Sequence, residues 1–271
     1  MKTQLGVKWS AMSDEVADLV DIQEVAGWDL DRCELCGPLL LHNLDIDFSI
    51  AVPEVLDGAW LERCRWALER TQSPWFSLHL GFSAEAVRFD GHMLPSSPVL
   101  GRDVCFERMA NAVGFAVQHL DLPVLIENLD YCPEGAYEHI CEPRFISKIV
   151  ESTGCRMLLD LAHLQVSADW LGYSADEYAS LLPLDHVIEV HLSSPRMLDK
   201  HLDDGHFELL EQDFRLLSWV LERCTPRAVV LEYTRDRRSL ERQLRQIRSI
   251  LDHDGIRVGE LRREDKSDRP G

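Results

Sequence analysis

Short runs of Val, Ile and Leu recur along the chain and alternate with longer segments whose apolar positions repeat at helical period. The first pattern reads as buried strand and the second as amphipathic helix. Strands are predicted at approximately 5–10, 22–26, 38–44, 75–81, 124–129, 156–161, 187–192 and 228–234. Helices are predicted at approximately 13–20, 58–70, 103–119, 144–151, 174–182, 208–223 and 238–252. Ser174 with Glu177 three residues on reads as a capping box, and Gly154 stands where a helix stop is expected. Strands that are apolar throughout and alternate with helices predict the α/β class and a single (β/α)8 TIM barrel. The barrel is expected over 1–258, followed by a charged, frayed tail over 259–271. The segment between Asp29 and Gly37 is too short for a helix. Residues 84–102 have no clear period, contain His92, Pro95 and Pro98, and are expected over the mouth because they follow the fourth strand.

Many of these apolar runs end in an imidazole or a carboxylate. The series is His42, His79, Glu127, Asp160 with His163, His191, Asp204 with His206, and Glu232. Residues two apart on a strand face the same way. The inward pairs are therefore Ser77 with His79, Leu125 with Glu127, Leu158 with Asp160, and Val230 with Glu232. Each polar member is the last inward position, at the C-terminal mouth where barrel active sites lie. One such residue is usually a turn or hydrogen-bonding group; the series together predicts a metal centre at that mouth. Nine candidates are enough for more than one ion, since a single ion needs three or four ligands.

Asp160 and His163 can converge on one ion. Asp204 and His206 form a second pair, with Gly205 allowing a tight turn; Asp199 and His201 are a rival pair of the same spacing. Glu127 and Glu232 are the natural bridging carboxylates. His79, Glu127, Asp160, His191 and Glu232 are expected to carry the chemistry. Glu189 should point inward one layer below His191, as a supporting or buried network carboxylate. His119, His139 and His253 read as solvated or capping, and His186 lies at the wrong end of the barrel. No lysine is evident at the mouth. Ligands of this kind suit iron, manganese or zinc without choosing among them.

The formal charge of −19 disfavours a nucleic-acid backbone or an anionic membrane as partner. No apolar run is long enough for a membrane helix or a secretion signal, so a cytoplasmic location is expected. The eight cysteines then read as reduced thiols, and the lone Cys33-x-x-Cys36 pair lacks the second pair of a zinc ribbon. No GxSxG elbow, P-loop or GxGxxG after a strand is present. The tryptophans show no basic interleaving, so a stacking surface for nucleic acid is unsupported.

Several of these segments resemble the multinuclear non-haem iron-dependent oxidases, the MNIO family within the xylose-isomerase-like barrels. The resemblance runs from about Leu5 to Asp236. It is carried by Glu24 near an early strand end, His42-Asn43, Ser77-Leu78-His79-Leu80, Glu127-Asn128, the run ending in Asp160, Glu189-Val190-His191-Leu192, Asp204-Gly205-His206, and Leu231-Glu232-Tyr233. Two departures stand out: Ala162 and His163 where many members have two asparagines, and Asn43 after His42 where the family has glycine. The resemblance implies two or three iron ions in mixed Fe(II)/Fe(III) states, with O2 as co-substrate. It implies oxidation of cysteine in a ribosomally made precursor peptide, with a separate leader-recognition protein as partner.

The competing reading is another xylose-isomerase-like barrel metalloenzyme, either an endonuclease-type zinc phosphodiesterase or a sugar isomerase. The endonuclease should show a basic rim, against which the acidic charge speaks. The isomerase usually needs a lysine base or a simpler dinuclear site. A binding barrel without catalysis should have lost ligands, whereas this chain keeps their order.

Overall fold

The computed structural model describes residues 2–33, 38–45, 49–53, 55–198 and 200–267, with side chains described to residue 253. Its strands are β1 (Gln4–Lys8), β2 (Ile22–Ala26), β3 (Leu39–His42), β4 (Phe76–His79), β5 (Val87–Asp90), β6 (His92–Pro95), β7 (Val124–Glu127), β8 (Arg156–Asp160), β9 (Val187–Leu192), β10 (Ser194–Leu198), β11 (His201–Phe207) and β12 (Ala228–Leu231). Its α-helices are α1 (Gly58–Thr71), α2 (Arg102–His119), α3 (Pro143–Thr153), α4 (Leu161–Leu171), α5 (Ala175–Ser180), α6 (Glu211–Leu221) and α7 (Arg237–Ser267). Eight strands close into a barrel in the order β1-β12-β9-β8-β7-β4-β3-β2, and every neighbouring pair is parallel. The predicted barrel is thus the observed fold, and all eight predicted strands fall on its staves.

Two apolar layers hold it. The large outer one packs α1, α2, α3, α6 and α7 residues such as Trp60, Met109, Phe145, Leu217 and Leu244 against outward strand residues such as Leu41, Ile126 and Leu159. The inner one is Ile22, Leu40, Trp75, Leu125, Leu158, Ala228 and Val230, a plug that fills the barrel below its mouth. Leu125, Leu158 and Val230 lie in that plug, as the alternation predicted. The capping box at Ser174 and Glu177 is present, and Gly154 ends α3 in the left-handed conformation at φ 72°.

Four elements depart from the sequence expectation, and the first is the helix expected at 13–20, which is a 3-10 stretch over Ser13–Leu19 broken at Val16 (φ −120°, ψ 15°). Helix α4 begins directly after β8 and was not predicted, because Leu161–Ala168 is buried on nearly every side and so shows no amphipathic period. Residues 84–102, expected to be irregular, contain the antiparallel β5–β6 hairpin and a bridge from Ala84 to Val99. The β10–β11 hairpin is likewise unpredicted, since its polar strands carry no apolar alternation. A 3-10 turn spans Gly27–Asp29, while residues 34–37, with Cys36 of the CxxC pair, lie outside the described residues. The expected boundary at 258 falls within α7, and residues 268–271 of the expected tail lie outside the described residues. Among the described residues no helix is long and apolar enough to cross a membrane.

Gly27 couples this frame to the mouth. A Cβ there would meet Leu44 Cα at 2.7 Å and Asn43 O at 2.8 Å, both backbone, just beyond the tip of β3. Gly27→Ala should therefore cost about 1–3 kcal/mol as overpacking. At about 2–4 °C per kcal/mol for a chain of this order of size, the melting temperature should fall by several degrees. A calorimetric Tm equal to wild type would show that the contact relaxes freely.

Candidate metal centre

Each barrel strand ends its inward face above the apolar plug. Leu40 is followed two residues on by His42, Leu125 by Glu127, Leu158 by Asp160 and Val230 by Glu232. The same spacing puts His79 above Ser77 and His191 above Glu189. Glu189 is fully buried one layer down, where the Trp75 indole N–H donates to its Oε2 at 2.7 Å. Side chains from eight different tips and loops are thereby forced into one small volume.

Glu127 is its hub. Oε2 lies 3.1 Å from His42 Nε2 and 3.2 Å from His79 Nε2; Oε1 lies 3.3 Å from His163 Nδ1 and 3.7 Å from His191 Nδ1. Asp160 caps α4, accepting from the His163 backbone N–H through Oδ1 at 2.7 Å, while its Oδ2 faces His191 Nδ1 at 4.0 Å. His163 Nε2 lies 3.5 Å from Asp204 Oδ2, which is 3.6 Å from His206 Nδ1. His206 Nε2 in turn lies 3.1 Å from Glu232 Oε2. All nine sequence-predicted residues, His42, His79, Glu127, Asp160, His163, His191, Asp204, His206 and Glu232, are thus joined through approaches of 4.0 Å or less.

Of the rival pair, His201 is placed elsewhere. His201 stacks on Trp170 with centroids 3.5 Å apart and bonds Asp169 Oδ2 through Nδ1 at 3.0 Å, anchoring the β10–β11 hairpin to the end of α4. Asp199 lies outside the described residues. The turn expected at Gly205 is strand, and the left-handed residue is His206 at φ 48°. His119 and His253 are exposed and bond backbone oxygens four residues back in their helices, and His139 approaches Glu142 at 3.6 Å.

Two mouth residues escaped the sequence reading. The expectation that no lysine reaches the mouth is wrong: Lys8 Nζ donates to Glu232 Oε1 at 2.6 Å. The strand was predicted to run on to Ser10, which hid Lys8 as the true tip of β1. Glu24, noted only for its resemblance, approaches His191 Nε2 at 2.8 Å through Oε2. Alternation from Ile22 of the inner plug would have found it. Two asparagines brace the cluster. Asn43 Oδ1 accepts from the His79 backbone N–H, and the Asn128 side chain bonds both the backbone N–H and the carbonyl of Asp160.

The buried acids and imidazoles of the cluster shift one another's titration. Burial drives the Glu127 carboxyl up, yet His79 and His42 outweigh it and hold the group well below the usual range. Burial pushes Asp160 up to about 7, opposed by His163 and reinforced by Glu127 and Glu232. Burial likewise raises Asp204, but His163 overcomes it and brings the carboxyl down to about 2. Glu127 Oε2, Asp160 Oδ2 and His191 Nδ1 are buried without any hydrogen-bond partner. Orphaned buried atoms of this kind are costly unless something completes them. Among the described residues, three groupings have potential ligand atoms within 4.8 Å of one another: His42, His79 and Glu127; Glu127, Asp160 and His163; and Glu24, His191 and Glu232. The donor set fits a cation of oxygen and imidazole preference.

Among solved structures, a D-tagatose 3-epimerase-like protein superposes with a TM-score of 0.64 at 17% identity, over 95% of this chain and 100% of that one. Endonuclease IV from Thermus thermophilus does so with a TM-score of 0.59 at 17% identity, over 92% and 99%. These show a shared barrel. Closer in sequence is a UPF0276 protein of Chromobacterium violaceum, 27% identical over 76% of this chain and 74% of its own length. A second, from Paraburkholderia phytofirmans, is 32% identical over 66% of this chain and 53% of its own length, so the chain spans only about half of that relative. Residues 5–253 match the model of one family across nearly the whole barrel, and the chain belongs to that family, described as RiPP precursor modification enzyme MbnB/TglH/ChrH.

Proposed function

We propose that this chain is a multinuclear non-haem iron oxidase that uses O2 to modify cysteine residues of a ribosomally made precursor peptide. The observation that carries the reading is Glu127, whose two oxygens face different imidazoles, His42 and His79 on one side and His163 and His191 on the other. A carboxylate so placed can serve two ions at once. His42, His79 and Glu127 would hold one, and Glu127, Asp160, His191 and Glu232, with His163, Asp204 and His206 beyond, one or two more. Iron there would supply one-electron chemistry with O2 and a position for a thiolate.

The protein's own residues set the conditions. Glu24 accepts from His191 Nε2 and so turns the Nδ1 lone pair toward the carboxylates, the role a supporting carboxylate plays for a ligating histidine. Asn128 holds Asp160 at its backbone, and His42 is held on both nitrogens, Nδ1 by Ser77 Oγ at 2.9 Å and Nε2 by Asn43 Nδ2 at 2.7 Å, with Nε2 also 3.1 Å from Glu127 Oε2. The apolar plug beneath excludes water from below. Among the described residues no cysteine belongs to a metal-type grouping, and this reading gives the thiolate position to the peptide. Membership of a precursor-modifying family supports a peptide as that group, and a separate leader-recognition protein is its proposed partner.

Protein purified anaerobically after iron-replete expression should carry at least two iron ions per chain. It should consume O2 only with a cysteine-containing precursor peptide and its recognition partner. Stoichiometric zinc without iron would sink the proposal, and incision of abasic DNA would replace it with the endonuclease reading. Lys8 at the mouth gives the isomerase reading its one supporting observation. Epimerisation of a ketohexose by the metal-loaded protein would favour that reading instead.

A further inference from the structure

Glu232 divides its two oxygens between unlike partners. Oε1 is held by the Lys8 ammonium at 2.6 Å, while Oε2 faces His206 Nε2 at 3.1 Å and His191 Nδ1 at 3.8 Å. The division is built into the barrel. β1 pairs with β12 in the register Val7 with Leu231, so the next residue of each strand, Lys8 and Glu232, emerge side by side. Glu232 is buried, and the Lys8 side chain, one-third exposed at 36%, reaches it from the rim.

A carboxylate with both oxygens free can chelate an ion through the pair. One whose outer oxygen is occupied by an ammonium presents a single donor. We propose that Lys8 is a positioning residue that restricts Glu232 to one-oxygen ligation and so keeps a coordination position open at the metal centre. This rests on reading the cluster as a metal centre.

The electrostatics give the inference a sign that a structural role would not share. A fixed positive charge beside a ligand carboxylate repels an incoming cation and competes for its electrons. A residue that served only to hold the fold would lose metal affinity when removed. Lys8, on the present inference, lowers metal affinity in exchange for an open position, so its removal should raise that affinity. Lys8→Met keeps the length of the side chain without its charge, and Lys8→Arg keeps the charge and a donor to Oε1.

The test is an anaerobic competition titration of the apoprotein with Fe(II) against a chelator, run beside peptide-dependent O2 consumption. Lys8→Met should bind Fe(II) about tenfold tighter or more, the scale of one charge interaction in a partly screened site, while turnover falls by about tenfold or more. Lys8→Arg should stay close to wild type in both. Binding in Lys8→Met that is unchanged or weaker, with wild type binding normally, would overturn the inference and leave the metal reading intact. Tighter binding with full turnover would equally overturn it. Failure of the wild type to bind Fe(II) would remove the metal reading and this inference together.

Discussion

Glu127→Ala should abolish peptide oxidation and bring bound iron below one ion per chain. Two of the three candidate groupings among the described residues share this residue, and its Oε2 is buried without a hydrogen-bond partner. Its loss leaves His42 and His79 facing each other's rings, 5.1 Å apart between centroids, with no carboxylate between the imidazoles and an ion. Loss of a supporting partner alone commonly costs ~10–100-fold in metal affinity or activity, so loss of the hub should exceed ~100-fold. Glu127→Gln preserves volume and should separate charge from shape, failing in iron binding while keeping a near-native Tm. Metal analysis and O2 uptake check both variants. Two or more irons retained in Glu127→Ala would remove the bridging role.

Asp204→Ala should lose the part of the centre borne by the β10–β11 hairpin, with activity down by more than ~10-fold. Asp204 accepts from the Ser193 hydroxyl at 3.0 Å through Oδ1 and presents Oδ2 to His163 and His206. It is therefore held from behind and faces two imidazoles. His201→Phe should keep iron content and most activity, because a phenyl ring can still stack on Trp170 and His201 faces Asp169 rather than the centre. Asp199→Ala should behave likewise. Equal loss of iron in the Asp204 and Asp199 variants would reassign the hairpin's ligands.

The fold was legible because the pattern is local. Parallel strands buried on both faces must read as apolar runs, and helices between them must show one polar face. Where those conditions lapse, so does the reading. Helix α4 is enclosed by the barrel wall and the β10–β11 hairpin, so its sequence keeps no polar stripe. The β10–β11 hairpin is largely polar and half-exposed with little alternation, and β5 and β6 are only four residues each, too short for a periodic signal.

At the centre, the sequence alone determined which residues sit at the strand tips, since alternation along β3, β4, β7, β8, β9 and β12 needs no knowledge of neighbours. It did not determine who faces whom. That His42 and His79 share one oxygen of Glu127 while His163 and His191 share the other depends on strand order and stagger, which only closure of the barrel decides. The same closure brings Lys8, from the first strand, against Glu232, from the last, across 224 residues of chain. It also joins Glu24 to His191 across 167. Contacts of that separation leave no periodic trace in a sequence. They arise because eight twisted strands meet in one ring, and the ring sets the distances between their tips.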